Sequence, residues 1–142
     1  KIAEKEDLDI VIVTNGQIEE TYLKKLLPYV SAWNIDLKCF TESGYKKLGG
    51  FLETTKRSIT LAQEVSHVEV TTLIVPDLSD SPKEMAEEAQ FLASLNPDLP
   101  LHLSRYFPSY KYNKPATDKK TIRDLKLIAK KYLNNVKLGN MY

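Results

Sequence analysis

Along this chain the apolar positions switch repeatedly between a spacing of two and a spacing of three to four, the periods of strand and helix. Residues 8–13 are an apolar, β-branched run that stops at the turn signal Thr14-Asn15-Gly16. A helix follows over 19–29, with Tyr22, Leu23, Leu26 and Leu27 on one face and Pro28 close to its end. Residues 34–38 predict a second strand, with Trp33, Ile35 and Leu37 on one face and Asn34, Asp36 and Lys38 on the other. A short helix starts near Thr41. Gly49-Gly50 ends it, ahead of a longer helix over 51–65 that carries Leu52, Ile59, Leu61 and Ala62 as its apolar positions. A third strand over 68–75 stops at Pro76. Ser81-Pro82-Lys83-Glu84 reads as a capping box with proline at the first helical position, and the helix it opens buries Met85, Ala89 and Leu92. A fourth strand covers 101–104, and an irregular basic and aromatic stretch covers 105–114. Thr117-Asp118 caps a last helix with Ile122, Leu125, Ala129 and Tyr132 at helical spacing, and 136–138 forms a final short strand before Gly139-Asn140.

Strands alternating with helices predict an α/β fold with a parallel sheet built from βαβ crossovers. In such sheets and barrels, sites gather at the carboxyl ends of the strands. Thr14 and Asn15 fall there after the first strand, Asp36 and Lys38 after the second, Pro76 after the third, and Ser104 and Arg105 after the fourth. Three strands also alternate apolar with polar: Asn34, Asp36 and Lys38 in one, Glu69 and Thr71 in another, His102 and Ser104 in the third. Residue pattern alone leaves two readings of Asp36 and Lys38 open, a solvated edge pair and a cavity wall.

Composition narrows the classes. With 142 residues, 42% of them apolar, the chain suits a single domain, 1–142, with a real core. A formal net charge of +1 argues against nucleic-acid binding by bulk charge. The one cysteine, Cys39, can form neither an internal disulfide nor a thiolate cage; it reads as a buried small hydrophobe and fits a reducing cytoplasm. No apolar run approaches the roughly 20 residues of a membrane helix. The first residue is lysine, in Lys-Ile-Ala-Glu-Lys-Glu-Asp, which reads as the tail of a helix entering a strand and as a cut start. His102 stands apart from any second histidine or cysteine in sequence, so a hydrogen-bonded histidine is expected rather than a metal ligand.

Val13-Thr14-Asn15-Gly16, Asn34-Ile35-Asp36-Leu37-Lys38 and Thr71-Thr72-Leu73-Ile74-Val75-Pro76, in this order and spacing, resemble the radical SAM enzymes. Among these the chain is most similar to the activating enzymes of glycyl-radical enzymes, such as those of pyruvate formate-lyase. Leu101 to Pro108 with Tyr110-Lys111, Lys114 to Thr117 and Gly139-Asn140 resemble the AmmeMemoRadiSam-system radical SAM proteins. Three positions depart from the pattern: Val13 stands where the activating enzymes carry aspartate, Phe107 where relatives often carry histidine, and Asp77 follows Pro76 where glycine is usual.

The resemblance implies the C-terminal part of a partial (β/α)6 TIM-like barrel. It implies S-adenosylmethionine as cofactor, cleaved reductively at a [4Fe–4S] cluster to a 5′-deoxyadenosyl radical. The cluster-binding CxxxCxxC loop is absent from this sequence, so the resemblance assigns the cluster to a missing upstream segment. It places Thr14, Asn15, Asp36 and Lys38 beside S-adenosylmethionine, and it makes His102, Ser104 and Arg105 candidates for substrate contact, the substrate being a protein or a small molecule. The partner expected first is the missing N-terminal half of the barrel, with no nucleic acid and no membrane. An exposed edge at the first strand would then invite association. The alternative from another class is a non-catalytic α/β module that binds a small ligand or a protein through the same polar strand faces.

Overall fold

The computed structural model describes residues 9–108 and 113–141. The segment 1–8 and Tyr110, Lys111 and Tyr112 lie outside the described residues. Five strands form one parallel sheet: β1 (Val11–Thr14), β2 (Ala32–Asp36), β3 (His67–Ile74), β4 (Leu101–Arg105) and β5 (Val136–Gly139). They lie side by side in chain order. Five α-helices accompany them: α1 (Glu20–Leu26), α2 (Glu42–Lys47), α3 (Leu52–Val65), α4 (Pro82–Leu95) and α5 (Lys119–Ala129).

Strand order decides where the helices go. Parallel crossovers are right-handed almost without exception. A sheet whose strands follow chain order therefore receives every crossover helix on one face, as in a barrel wall. Burial bears this out. Ile35, Val70, Leu101 and Val136 are in register across β2 to β5, and all four are buried. The next row up, Asp36, Thr71, His102 and Lys137, is entirely polar, and none of it is buried. One residue along a strand reverses the face, so the sheet has an apolar side under helices and a polar side without them. This is the α/β architecture expected, consistent with part of a TIM-like barrel.

Several boundaries differ from the sequence pattern for identifiable reasons. β1 begins three residues later than the apolar run, at Val11, and ends on Thr14. α1 stops at Leu26, and Leu27–Tyr29 tightens into a 3-10 turn around Pro28. Only Leu23 of its expected apolar stripe is fully buried; Tyr22 is 59% and Leu26 40% exposed, because β1 is the edge of the sheet and pairs with β2 alone among the described strands. Tyr132 falls beyond the end of α5, and Leu133 takes the buried position instead. Met85, Ala89 and Leu92 of α4 and Ile122, Leu125 and Ala129 of α5 are buried as their spacing predicts. Cys39 is buried and unbridged. Asp77 adopts φ 64°, the left-handed region that favours glycine. Its N–H is held by Asp80 Oδ1 at 3.1 Å, and its carboxylate pairs with Lys114.

The capping box forms only half of its pattern. Ser81 Oγ accepts from the Glu84 N–H at 3.3 Å, but the Glu84 carboxylate accepts from the Phe40 N–H at 2.7 Å instead of turning back to Ser81. One turn on, Glu88 is fully buried between α4 and the sheet, where Thr72 Oγ1 donates to Oε2 at 2.9 Å. Burial is the largest influence on Glu88 and pushes its carboxyl up to about 8; Thr72 opposes that shift, and nearby Glu84 adds to it.

This carboxyl ties stability to pH. Between its ordinary value of 4.5 and about 8 the folded chain keeps a proton that the unfolded chain has released. The Glu88 contribution therefore falls as pH rises through that window, by up to about 1.4 kcal/mol per pH unit, and levels off above it. Glu88→Gln should match the parent near the acid end of the window and gain on it steadily toward the alkaline end, in urea melts at matched pH. A parent-minus-variant difference that does not change with pH contradicts this assignment.

Candidate functional site

The polar face of the sheet leads to the carboxyl ends of β2, β3 and β4, and the segment after β2 is the most firmly held part of that rim. The Leu37 N–H donates to Thr71 O at 2.9 Å, which carries the β2–β3 ladder one residue further. The next N–H, that of Lys38, leaves the ladder and donates to Tyr45 Oη at 3.0 Å. This is why β2 ends before Lys38. The Phe40 N–H is taken by Glu84, and Thr41 Oγ1 caps α2 by accepting from the Gly44 N–H at 3.0 Å. Gly44 is needed there, since a Cβ would stand 2.6 Å from Cys39 Sγ and 2.8 Å from Thr41 Oγ1. Backbone anchors thus fix the segment, while the Lys38 ammonium stays at the surface, 3.4 Å from Asp36 Oδ2. An exposed pair at that distance contributes little stability, so both groups are available to a ligand at small cost.

Thr14 and Asn15 are placed differently. Thr14 registers with Ile35 and so belongs to the helix face, where its Oγ1 accepts from the Gly16 N–H at 3.1 Å. Asn15 is exposed; its Oδ1 accepts from the Gln17 N–H at 3.0 Å and its carbonyl from Thr55 Oγ1 at 3.2 Å. Gly16 takes φ 72° and lies so close to Ile35 and Thr55 that a Cβ would approach both to 3.0 Å. Thr14 therefore builds the turn, and Asn15 stands beside the site.

On β4, His102 and Ser104 lie on the open face and Arg105 does not. Arg105 registers with Ile74 on the helix side, its Nε donates to Thr117 O at 2.6 Å, and its guanidinium lies 4.7 Å from the centre of the Phe107 ring. Ser104 Oγ accepts from Asn140 Nδ2 at 2.9 Å. His102 Nε2 is 2.6 Å from Glu69 Oε1, and His67 Nε2 is 3.0 Å from Glu69 Oε2. Between β2 and β3, Thr71 Oγ1 donates to Asn34 Oδ1 at 3.1 Å.

Three cavities meet at Lys38. One, of about 260 Å³, is lined by Asp36, Lys38, Thr71, Leu73 and Ser104. A second, of about 190 Å³, runs from Lys38 to Asn15, Gln17 and Tyr45. The third, of about 440 Å³, is walled mainly by apolar groups including Leu48, Leu73, Val75, Leu78 and Phe107. A larger concavity lies on α1 and α3, but its lining includes Lys24, Glu20 and Arg57, which pair with one another, and no strand residue enters it. The structure therefore brings Asp36, Lys38 and Ser104 around one hollow and Asn15 onto the adjoining one, while His102 lies in the same row as Asp36 and outside both linings. The sequence reading did not single out Tyr45, Thr71, Glu69 or Lys137 as site residues. For Thr71 and Glu69 the signal was the strand alternation itself; nothing local marks Tyr45, whose partner is seven residues away.

Among the described residues no group of three His, Cys, Asp or Glu side chains is arranged to hold a metal. The two imidazoles beside Glu69 turn their Nε2 atoms onto its oxygens rather than toward a shared centre. No described helix is long and apolar enough to cross a membrane.

This one-sided parallel sheet is the fold of radical SAM domains. A domain of a pyruvate-formate lyase-activating enzyme from Bacteroides vulgatus superposes with a TM-score of 0.80 at 18% identity, over 99% of this chain and 86% of that one. Streptococcus suis SuiB, solved bound to S-adenosylmethionine, gives a TM-score of 0.65 at 17% identity over 96% of this chain and 32% of its own. A radical SAM methyltransferase from Sphaerobacter thermophilus gives 0.61 at 16% identity, over 91% of this chain and 39% of that one. In sequence, the chain is 34% identical over 144 residues to an uncharacterized protein of Methanocaldococcus jannaschii, covering 99% of this chain and 43% of that protein. The chain thus spans less than half of the curated relative it matches. No family model matches it.

The Tyr45 hydroxyl gives this rim a specific weak point. Tyr45→Phe leaves the Lys38 N–H without its partner, and the expected cost is about 1–3 kcal/mol in a urea melt. Amide exchange at Lys38 should accelerate well beyond that of β3. A variant with unchanged stability and unchanged exchange at Lys38 contradicts the role given to this bond.

Proposed function

We propose that this chain forms the S-adenosylmethionine- and substrate-facing wall of a radical SAM enzyme, similar to the activating enzymes of glycyl-radical enzymes. The observation that supports the reading most is the meeting of three cavities at Lys38, beside Asp36, at the carboxyl end of a strand on the open face. The donor set suits the ligand. The Lys38 ammonium matches a methionyl carboxylate by a charge-assisted bond. The Asp36 carboxylate accepts from an ammonium or from ribose hydroxyls, and Thr71 and Ser104 add hydroxyls between β2 and β4. Asn15 borders the neighbouring hollow and offers both a donor and an acceptor. The apolar compartment next to Leu73 leaves room for a substrate's carbon skeleton. When bound, S-adenosylmethionine supplies the 5′-deoxyadenosyl group for hydrogen abstraction.

A [4Fe–4S] cluster does not fit the residues of this chain. It needs three thiolates, and the one cysteine is Cys39, buried, with its thiol raised above the ordinary range chiefly by that burial. No step through a cluster is assigned to these residues. Among the described residues β1 pairs with β2 alone, and that edge supports joining to further βα units. Val11 is 64% and Val13 73% exposed, and Tyr22, Leu26 and Tyr29 form an exposed apolar stripe along α1 and the turn after it.

Calorimetric titration of S-adenosylmethionine into the full-length protein that carries this chain tests the reading. Asp36→Asn and Lys38→Met should each weaken binding roughly tenfold, about 1.4 kcal/mol, the loss of one charge-assisted hydrogen bond. Binding that neither substitution changes would sink the proposal.

A further inference from the structure

Three apolar side chains at the rim are not accounted for by the core. Leu48 follows α2, Leu73 lies at the carboxyl end of β3, and Phe107 follows β4; all three are exposed. Among the described residues they belong neither to the core cluster nor to the side chains packed against it. Single apolar side chains scattered on a surface need no account. These three come from separate segments and converge on one cavity of about 440 Å³. On β3 the change of character is abrupt. His67, Glu69 and Thr71 share one strand face, and the next residue on that face is Leu73. Lys38 and Leu73 are common to this cavity and to the 260 Å³ hollow beside it.

We propose that the 440 Å³ compartment takes an uncharged aromatic or aliphatic group of a small-molecule substrate, with Leu48 and Leu73 as specificity-determining residues. The inference rests on the reading of the rim as a substrate-facing wall and names the substrate class for it. Size supports a small molecule, since such sites run from about 300 to 1,000 Å³. Charge supports a neutral one. Among the described lining residues only Lys38 is charged, and its ammonium already stands 3.4 Å from Asp36 Oδ2. The Tyr106 hydroxyl, at the other side of the lining, donates to Lys114 O at 3.1 Å. A charged group would leave water for a wall of leucine, valine and phenylalanine that gives it little in return. An apolar group gains there, because it covers Leu48, Leu73 and Phe107, which the core leaves in water. Seated against Leu73, it adjoins the hollow proposed for the cofactor.

A matched pair of fluorescent probes tests this on the full-length protein that carries the chain. N-phenyl-1-naphthylamine is neutral and apolar; 8-anilinonaphthalene-1-sulfonate adds a sulfonate to the same skeleton. The neutral probe should bind at one saturable site with enhanced, blue-shifted emission, and roughly tenfold more tightly than the sulfonate. Leu48→Asp and Leu73→Asp, both at exposed positions, should each weaken it roughly tenfold or more. Leu73→Met keeps the apolar volume and should hold its affinity within about twofold. No saturable binding of the neutral probe, tighter binding of the sulfonate, or an affinity that neither aspartate changes would overturn the proposal. The titration contains no S-adenosylmethionine, so its failure is separate from that of the cofactor reading. Absence of heat with S-adenosylmethionine on the same samples counts against that reading, while the probe pair decides this one.

Discussion

A parallel sheet whose strands follow chain order has one consequence that governs everything else in this molecule. Every crossover returns with the same hand, so every crossover helix lands on the same face. That face must be apolar to hold the helices, and the other need not be. The buried row Ile35, Val70, Leu101 and Val136 lies directly beneath the open row Asp36, Thr71, His102 and Lys137. The change from core to open face takes one residue along each strand. A doubly wound sheet of the same length would have covered both faces and could not have kept four polar side chains abreast without partners for each.

Holding a site on an uncovered face requires that its backbone be rigid without a helix above it. Here the rigidity comes from the helix side, through groups that reach around the strand ends. Tyr45 and Glu84 take the Lys38 and Phe40 N–H groups, Thr55 takes the Asn15 carbonyl, and Ser79 Oγ bridges the Val75 N–H and the Leu73 carbonyl at 2.9 and 2.7 Å. Each is a buried or half-buried side chain that spends its hydrogen bond on the backbone of the rim. The buried Glu88 belongs to the same layer. Its raised carboxyl marks how dry the space between α4 and the sheet is, only one turn of helix from the residue that pins the segment after β2.

Much of this was legible in the sequence. Period-two alternation assigns Trp33, Ile35 and Leu37 to the core and Asn34 and Asp36 to the other face, and those assignments hold because a strand buried on one side cannot slip by one residue. The helices α4 and α5 were legible because their caps, Ser81 and Asp118, and their apolar spacing agree. The exposed stripe on α1 was not, since apolar spacing says which residues share a face but not whether anything covers it. Arg105 and Thr14 were misplaced for a related reason: being near a strand end does not say to which face a side chain belongs, and register with Ile74 and Ile35 turns both toward the helices. The Glu69 bridge and the Tyr45 anchor are tertiary contacts between segments, which no local pattern encodes.

The proposed ligand site lies where the open face ends, at the carboxyl ends of β2 to β4. Hydrogen–deuterium exchange of the full-length protein, with and without S-adenosylmethionine, reads this most directly. Protection on binding is expected to be concentrated in peptides spanning residues 36–40 and 71–76, with the outer surface of α1 and α3 unchanged. Protection confined to that outer surface, around Glu20 and Arg57, or no protection at a saturating concentration of ligand, would contradict it.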